Sequence, residues 1–201
     1  FTIIVASIVA LRQDNLKRRL AYSTVSQLSY VILAALILSP LSTMGAALHI
    51  AVHAFGKITL FMAAGAIYTA AHKINVSQLD GIGKRMPWTM GAFTIGALSM
   101  IGLPPAGGFL SKWYILLGAL EAEQMFALAV IVGSTLLNAA YFLPIVYAAF
   151  LKPEATDAQD HEHGEAPLPI VMALVITASA TILLFFFPDL ALHLAGMLVG
   201  R

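Results

Sequence analysis

The chain has 201 residues, 60% of them hydrophobic and 10% charged, with a formal net charge of +1 and a mean hydropathy of +0.88. Soluble domains carry about 25% charged residues, and no aqueous core of this size could hide so much apolar surface, so lipid must be the solvent. No basic cluster interleaved with aromatics supports nucleic-acid binding, and the absence of cysteine excludes disulfides, thiolate metal sites and Cys-ligated iron–sulfur clusters.

Residues 1–11 are apolar, with neither a basic n-region nor a small-residue cleavage site. They read as the last turns of a spanning helix rather than a signal peptide, so the chain is expected to belong to a longer membrane protein whose earlier helices precede it. Further apolar runs follow at 20–38, 44–71, 87–120, 126–150 and 168–187, then Pro188–Asp189 and a short apolar tail. A run of ~20 residues just spans the hydrocarbon core as a helix. No strand alternation of the barrel kind and no solenoid-period repeat is present. The expected fold is all-α, a polytopic integral membrane helix bundle forming a single transmembrane domain over 1–201.

Charge orients the runs. The loop 12–19 carries Arg12, Lys17, Arg18 and Arg19, with Asp14 and Asn15 as turn or cap residues. The loop 72–85 carries Lys73, Lys84 and Arg85, whereas 39–43 carries no charge. The positive-inside rule places both basic loops in the cytoplasm, as in a multi-pass protein of the bacterial inner (plasma) membrane.

The run 87–120 is too long for one straight crossing and marginal for two. Near 103–108 it is interrupted by Gly102–Leu103–Pro104–Pro105–Ala106–Gly107–Gly108. Proline removes a donor and clashes with the preceding turn, so a helix break is expected at Pro104, Pro105, Gly107 and Gly108. Lys152 fits best inside if the two halves make one discontinuous crossing. Such breaks occur in lipid where freed backbone faces protein or water, and they typically mark transport sites. Residues 151–166 form the one hydrophilic stretch, an acidic cytoplasmic loop holding Glu154, Asp157, Asp160, Glu162 and Glu165. Its His161–Glu162–His163 triplet reads as part of that solvated loop, and no metal site is expected.

His49, His53 and Lys57 lie within the apolar run 44–71, spaced i, i+4, i+8. On a helix they stack on one face, about 6 Å apart per step. Ionisable groups at that depth cost several kcal/mol, so the three read as a proton or ion path. The alternative for Lys57 is a static ion pair, whose acidic partner would come from outside these spans. Lys112 follows the break among aromatic and aliphatic neighbours, where an amine could carry protons reversibly or snorkel toward an interface. Ser23, Ser26, Gln27 and Tyr30 share one face of the 20–38 helix, and Ser134, Thr135 and Asn138 sit mid-span in 126–150. These groups could glue helices together or line a water path. No serine has a histidine–acid pair placed for a triad. Ala63, Ala64, Gly65 and Ala66 suggest close packing.

Three segments then carry a resemblance. Asn15–Leu16–Lys17–Arg18–Arg19–Leu20–Ala21–Tyr22–Ser23–Thr24–Val25–Ser26–Gln27, the His49-x3-His53–Ala54–Phe55–Gly56–Lys57 segment, and Gly102 through Lys112 resemble, in family order, the proton-translocating membrane subunits shared by respiratory complex I and Mrp-type cation/proton antiporters. The resemblance implies a fold of roughly fourteen helices with two inverted repeats, each containing a broken helix, of which this chain is the C-terminal part. It assigns Lys112 to the lysine of the second broken helix, Lys57 to the central lysine, and His49 and His53 to histidines relaying toward it. The family's glutamate–lysine pair of the first repeat has no counterpart here. Gly56 stands where many relatives have a bulkier residue, which would widen the path.

Within that family, Leu103–Pro104–Pro105, Ser111–Lys112–Trp113–Tyr114 and the Ala-rich 126–150 helix look most like the Mrp-type antiporter branch. The function implied is a proton-conducting subunit of a multi-subunit Na+/K+:proton antiporter. The alternatives are a proton-pumping subunit of an NADH:quinone oxidoreductase-type complex, without a redox centre of its own, and a purely structural membrane subunit. No cofactor is expected. The expected partners are other membrane subunits, protons and monovalent cations, and the bilayer.

Overall fold

Local chemistry sets where each helix starts and stops. The structure, a computed structural model, describes residues 1–153 and 164–200; the His161–Glu162–His163 triplet and most of the acidic loop lie outside the described residues. Among these, eight α-helices occur, with two short 3-10 turns and no extended strand. Helix α1 is Thr2–Arg12, and α2 is Leu16–Leu36. Asn15 caps α2, its side-chain oxygen accepting from the Arg18 N–H at 3.0 Å, so Lys17, Arg18 and Arg19 occupy the first turn rather than a loop. Helix α3, Pro40–Ala71, begins at a proline that needs no donor in a first turn and ends at His72 with φ of 53°. Pro87 opens α4, Pro87–Ile101, and Gly102 closes it with φ of +90°. Then come α5, Gly108–Glu121, α6, Met125–Leu151, α7, Leu168–Phe186, and α8, Asp189–Met197. The expected C-terminal tail is thus partly helical. Three of these helices, α3, α6 and α7, are long and apolar enough to cross a membrane.

Helices α4 and α5 run one after the other along α3. From the C-terminal half of α3 backwards, Leu60 meets Gly96, Gly56 meets Ser99 and Met100, Gly45 meets Ser111 and Ile115, and Ser42 meets Gly118. The Ser39 hydroxyl, beside the start of α3, donates to Glu121 at the end of α5 at 2.7 Å. This antiparallel succession lays α4 and α5 end to end along α3, with the interruption at 102–107.

The other contacts agree with that direction. At the opposite end, Lys152 pairs with Asp80 at 3.2 Å, and the Gly81 N–H donates to the Ala148 carbonyl at 2.9 Å. Glu165 accepts from the Trp88 and Thr89 N–H groups at 2.6 and 3.2 Å, satisfying the free donors at the start of α4. Residues 12–15, 72–86, Lys152 and Glu165 therefore gather at one end of the bundle, and Ser39 and Glu121 at the other.

The main core lies between α2, α3, α4 and α6, where Leu20, Leu60, Ile67, Met90, Phe93, Tyr141 and Phe142 are fully buried. Ala63, Ala64 and Ala66 face it, while Gly65 faces open space. Helix α7 fully buries only Leu174, Ala178 and Thr181, the rest of it being partly buried or exposed and largely apolar, as lipid allows.

Candidate functional site

The helix break creates the binding place for Lys112. In a continuous helix the carbonyls of Met100 and Ile101 would accept from the N–H groups of residues 104 and 105. Both positions are proline, so both carbonyls are freed. The Lys112 ammonium takes them, with Nζ donating to Met100 O at 2.8 Å and Ile101 O at 2.9 Å. Lys112 is 3% exposed and also lies 4.9 Å from the Tyr30 ring centroid, so it turns inward instead of reaching water. Two glycines let the chain fold back this tightly. A Cβ on Gly108 would collide with the Ser99 carbonyl, and one on Gly107 would press on Val52, Leu184 and the Thr181 carbonyl. The Gly107 N–H donates to Thr181 O at 3.0 Å, tying the break to α7.

Lys57 is held differently. Its Nζ donates to Ser23 Oγ at 2.7 Å and to Leu20 O at 3.1 Å, both on α2, and lies 5.8 Å from the Phe142 ring. Among the described residues neither amine has a carboxylate partner; carbonyls and a hydroxyl satisfy them. The widening expected at Gly56 is absent, because Met100 Cε would sit 2.6 Å from a Cβ placed there. The missing side chain lets α4 pack against α3.

The histidines connect toward Lys112. His49 is fully buried, with Nδ1 2.8 Å from Ser111 Oγ and Nε2 3.1 Å from Gln27 Oε1. Gln27 spends its amide N–H on Met100 O at 3.0 Å, so its oxygen faces His49. Ser111 Oγ also lies 3.1 Å from the Gly108 carbonyl, so its single proton serves either that carbonyl or His49 Nδ1. The His53 ring stacks 6.3 Å from that of His49, and its Nε2 is buried with no hydrogen-bond partner among the described residues. The expected ladder on one face is present in spacing, but neither histidine bonds Lys57.

What joins the two amines is α6. Tyr141 Oη lies 2.9 Å from Ser23 Oγ and 2.6 Å from Asn138 Oδ1, while Asn138 Nδ2 reaches Met100 O at 3.4 Å. Lys57, Ser23, Tyr141, Asn138, the Met100 carbonyl and Lys112 thus form one continuous buried network. Other residues expected to line a path make contacts between helices. Ser26 Oγ is 2.8 Å from Ser7 Oγ, which is 3.3 Å from Ser134 Oγ, and Tyr30 Oη donates to Ile131 O at 3.5 Å. Tyr141, Ser7 and Ser111 do not stand out in the sequence. Tyr141 follows Asn138 by three residues and Ser134 by seven, a helical spacing that could have revealed it.

Residues 1–138 match the model of the family described as NADH:quinone oxidoreductase/Mrp antiporter, transmembrane. Over 167 residues the chain is 47% identical to NADH-quinone oxidoreductase subunit N of Desulforudis audaxviator, covering 83% of this chain and 33% of that protein. It is 26% identical over 204 residues to F(420)H(2) dehydrogenase subunit N of Methanosarcina mazei, covering 96% of this chain and 41% of that protein. The structure of the Mrp complex from Dietzia sp. contains a chain that matches with a TM-score of 0.87 at 25% identity, over 97% of this chain and 44% of that one. A chain of respiratory complex I from Thermus thermophilus shares the fold, with a TM-score of 0.84 at 23% identity, over 97% and 41%. The chain thus spans less than half the length of these relatives. With one buried amine on a broken helix and another on the helix beside it in an all-helical, multi-pass bundle, it belongs to the NADH:quinone oxidoreductase/Mrp antiporter transmembrane family and has the fold of an antiporter-like membrane subunit.

Proposed function

We propose that this chain is the proton-conducting half of a membrane subunit in a quinone-oxidoreductase-type respiratory complex, working beside other membrane subunits in a bacterial inner membrane. Lys57 and Lys112 are the proton carriers, with His49 and His53 beside them. The observation that carries this reading is the pair of buried amines joined by a chain of hydrogen-bonding groups, with neutral hydrogen-bond partners among the described residues. An amine locked against a carboxylate has a fixed charge, whereas one met by hydroxyls and carbonyls can change its charge. A membrane potential supplies ~2.3 kcal/mol per charge per 100 mV, enough to drive loading and unloading through small rearrangements.

The respiratory assignment is supported by the 47% identity to an NADH-quinone oxidoreductase subunit. A monovalent cation/proton antiporter of Mrp type is the second reading, supported by the sequence around Lys112 and by the Dietzia chain, which matches over nearly the whole length. Flavin and iron–sulfur absorbance copurifying with the complex supports the first. Proton movement that depends on Na+ or K+ in its absence supports the second.

The test of the shared core is Lys57→Ala and Lys112→Ala in the full-length protein within its complex, read by a pH indicator in membrane vesicles. Each substitution is expected to abolish proton movement. Wild-type rates in both would overturn the proposal.

A further inference from the structure

Tyr141 has one phenolic proton and two acceptors within reach, Ser23 Oγ at 2.9 Å and Asn138 Oδ1 at 2.6 Å. All three side chains are fully buried, so no bulk water competes. The ring is held against Phe142, with centroids 4.7 Å apart, and its backbone carbonyl accepts from Arg19 Nη1 at 3.1 Å. The ring is therefore fixed while the hydroxyl proton can turn. The acceptors report to different amines, since Ser23 accepts from Lys57 at 2.7 Å and Asn138 shares Met100 O with Lys112.

We infer that Tyr141 and Asn138 are positioning residues forming a hydroxyl rotor that links the charge on Lys57 to the carbonyl holding Lys112. While Lys57 is an ammonium it donates to Ser23, and its positive charge turns the phenolic proton away, toward Asn138 Oδ1. When Lys57 gives up its proton, the Ser23 hydroxyl can donate to the amine lone pair. The Ser23 oxygen then accepts the phenolic proton, and Asn138 loses its donor. The freed amide changes its hold on Met100 O, a carbonyl that Gln27 Nε2 and Lys112 Nζ also contact at 3.0 and 2.8 Å. The phenolic proton never leaves its oxygen, so the rotor passes information between the amines without carrying a proton itself. The ionisable groups that act on it are Lys57 on Ser23, Arg19 and Tyr30 from α2, and Lys112 beyond the Met100 carbonyl; α4 carries no ionisable residue.

This inference rests on the proposed roles of Lys57 and Lys112. Its test uses the full-length protein in its complex, reconstituted in vesicles, with proton movement followed across a range of pH. Tyr141→Phe is expected to slow movement about tenfold, the scale of one net hydrogen bond, and to flatten the pH profile. Tyr147→Phe, on the exposed side of the same helix, should change neither. A Tyr141→Phe complex with wild-type rate and profile would overturn the inference. A second measurement needs no tyrosine substitution: infrared difference spectra against pH on the complex labelled with ring-13C tyrosine. A phenol band shift in the wild type that vanishes in Lys57→Ala supports the rotor, and one that persists, or is absent from the wild type, overturns it. If both lysine variants keep full proton movement, the proposed function fails; if they lose it while Tyr141→Phe does not, only the coupling fails.

Discussion

Lys57 and Lys112 are both buried amines in one bundle, yet their surroundings are built by opposite means. Lys57 sits on a 32-residue helix whose backbone satisfies itself, so its partners must come from the neighbouring α2. Lys112 stands on the second half of a broken helix and folds back onto the carbonyls that Pro104 and Pro105 release in the first half. A hydroxyl can accept from an ammonium or donate to a neutral amine, whereas a carbonyl can only accept. Ser23 can therefore serve Lys57 in either charge state, while the contacts of Lys112 are set by the backbone. One site can be altered by changing a side chain, the other only by changing the course of the chain.

The largest effect that could break this contrast is expected at Gly108. Gly108→Ala puts a methyl into the Ser99 carbonyl at the break, where no side chain can move aside. It should destabilise the protein by at least ~3 kcal/mol, read as a lost or strongly lowered thermal transition of the purified protein. Gly56→Ala, on the unbroken α3, meets only the flexible end of Met100 and should cost about 1 kcal/mol by the same measurement. Equal losses would mean that the break is no more rigid than its surroundings.

The double variant Pro104→Ala, Pro105→Ala sharpens the comparison further. It restores two backbone donors to carbonyls 100 and 101, so Lys112 must compete with the backbone for its partners. Proton movement in vesicles should fall about tenfold while thermal stability holds or rises. An unchanged rate would show that the freed carbonyls do not matter to Lys112. The smallest effect is expected at Ser134→Ala, which removes a 3.3 Å contact with Ser7 outside the network that joins the amines. A loss of about 0.6 kcal/mol with normal proton movement would fit a residue that bridges helices.

Much of this arrangement is legible in the residues themselves. The spacing of His49, His53 and Lys57 shows a polar face in an apolar run, and the Pro–Pro–Ala–Gly–Gly run locates the interruption ahead of Lys112, because helical period and the missing proline donors are local properties. Helix ends are less legible. Asn15 as a cap draws three basic residues into the start of α2, and Pro40 in a first turn lengthens α3 beyond its apolar core. Gly56 suggests extra space that the fold does not have, because the residue that fills the gap, Met100, comes from another helix.

The sequence by itself determined that the chain is a membrane helix bundle and which ionisable side chains fall within its apolar segments, since composition and period act within each segment. Only the tertiary structure decided which of those side chains meet. Ser23, Tyr141 and Asn138 lie more than a hundred residues apart in the chain at their extremes, and their hydrogen bonds depend on how α2, α4 and α6 pack around the break. Hydrogen bonding acts over about 3 Å, so partners from distant segments are specified by packing and not by proximity in sequence.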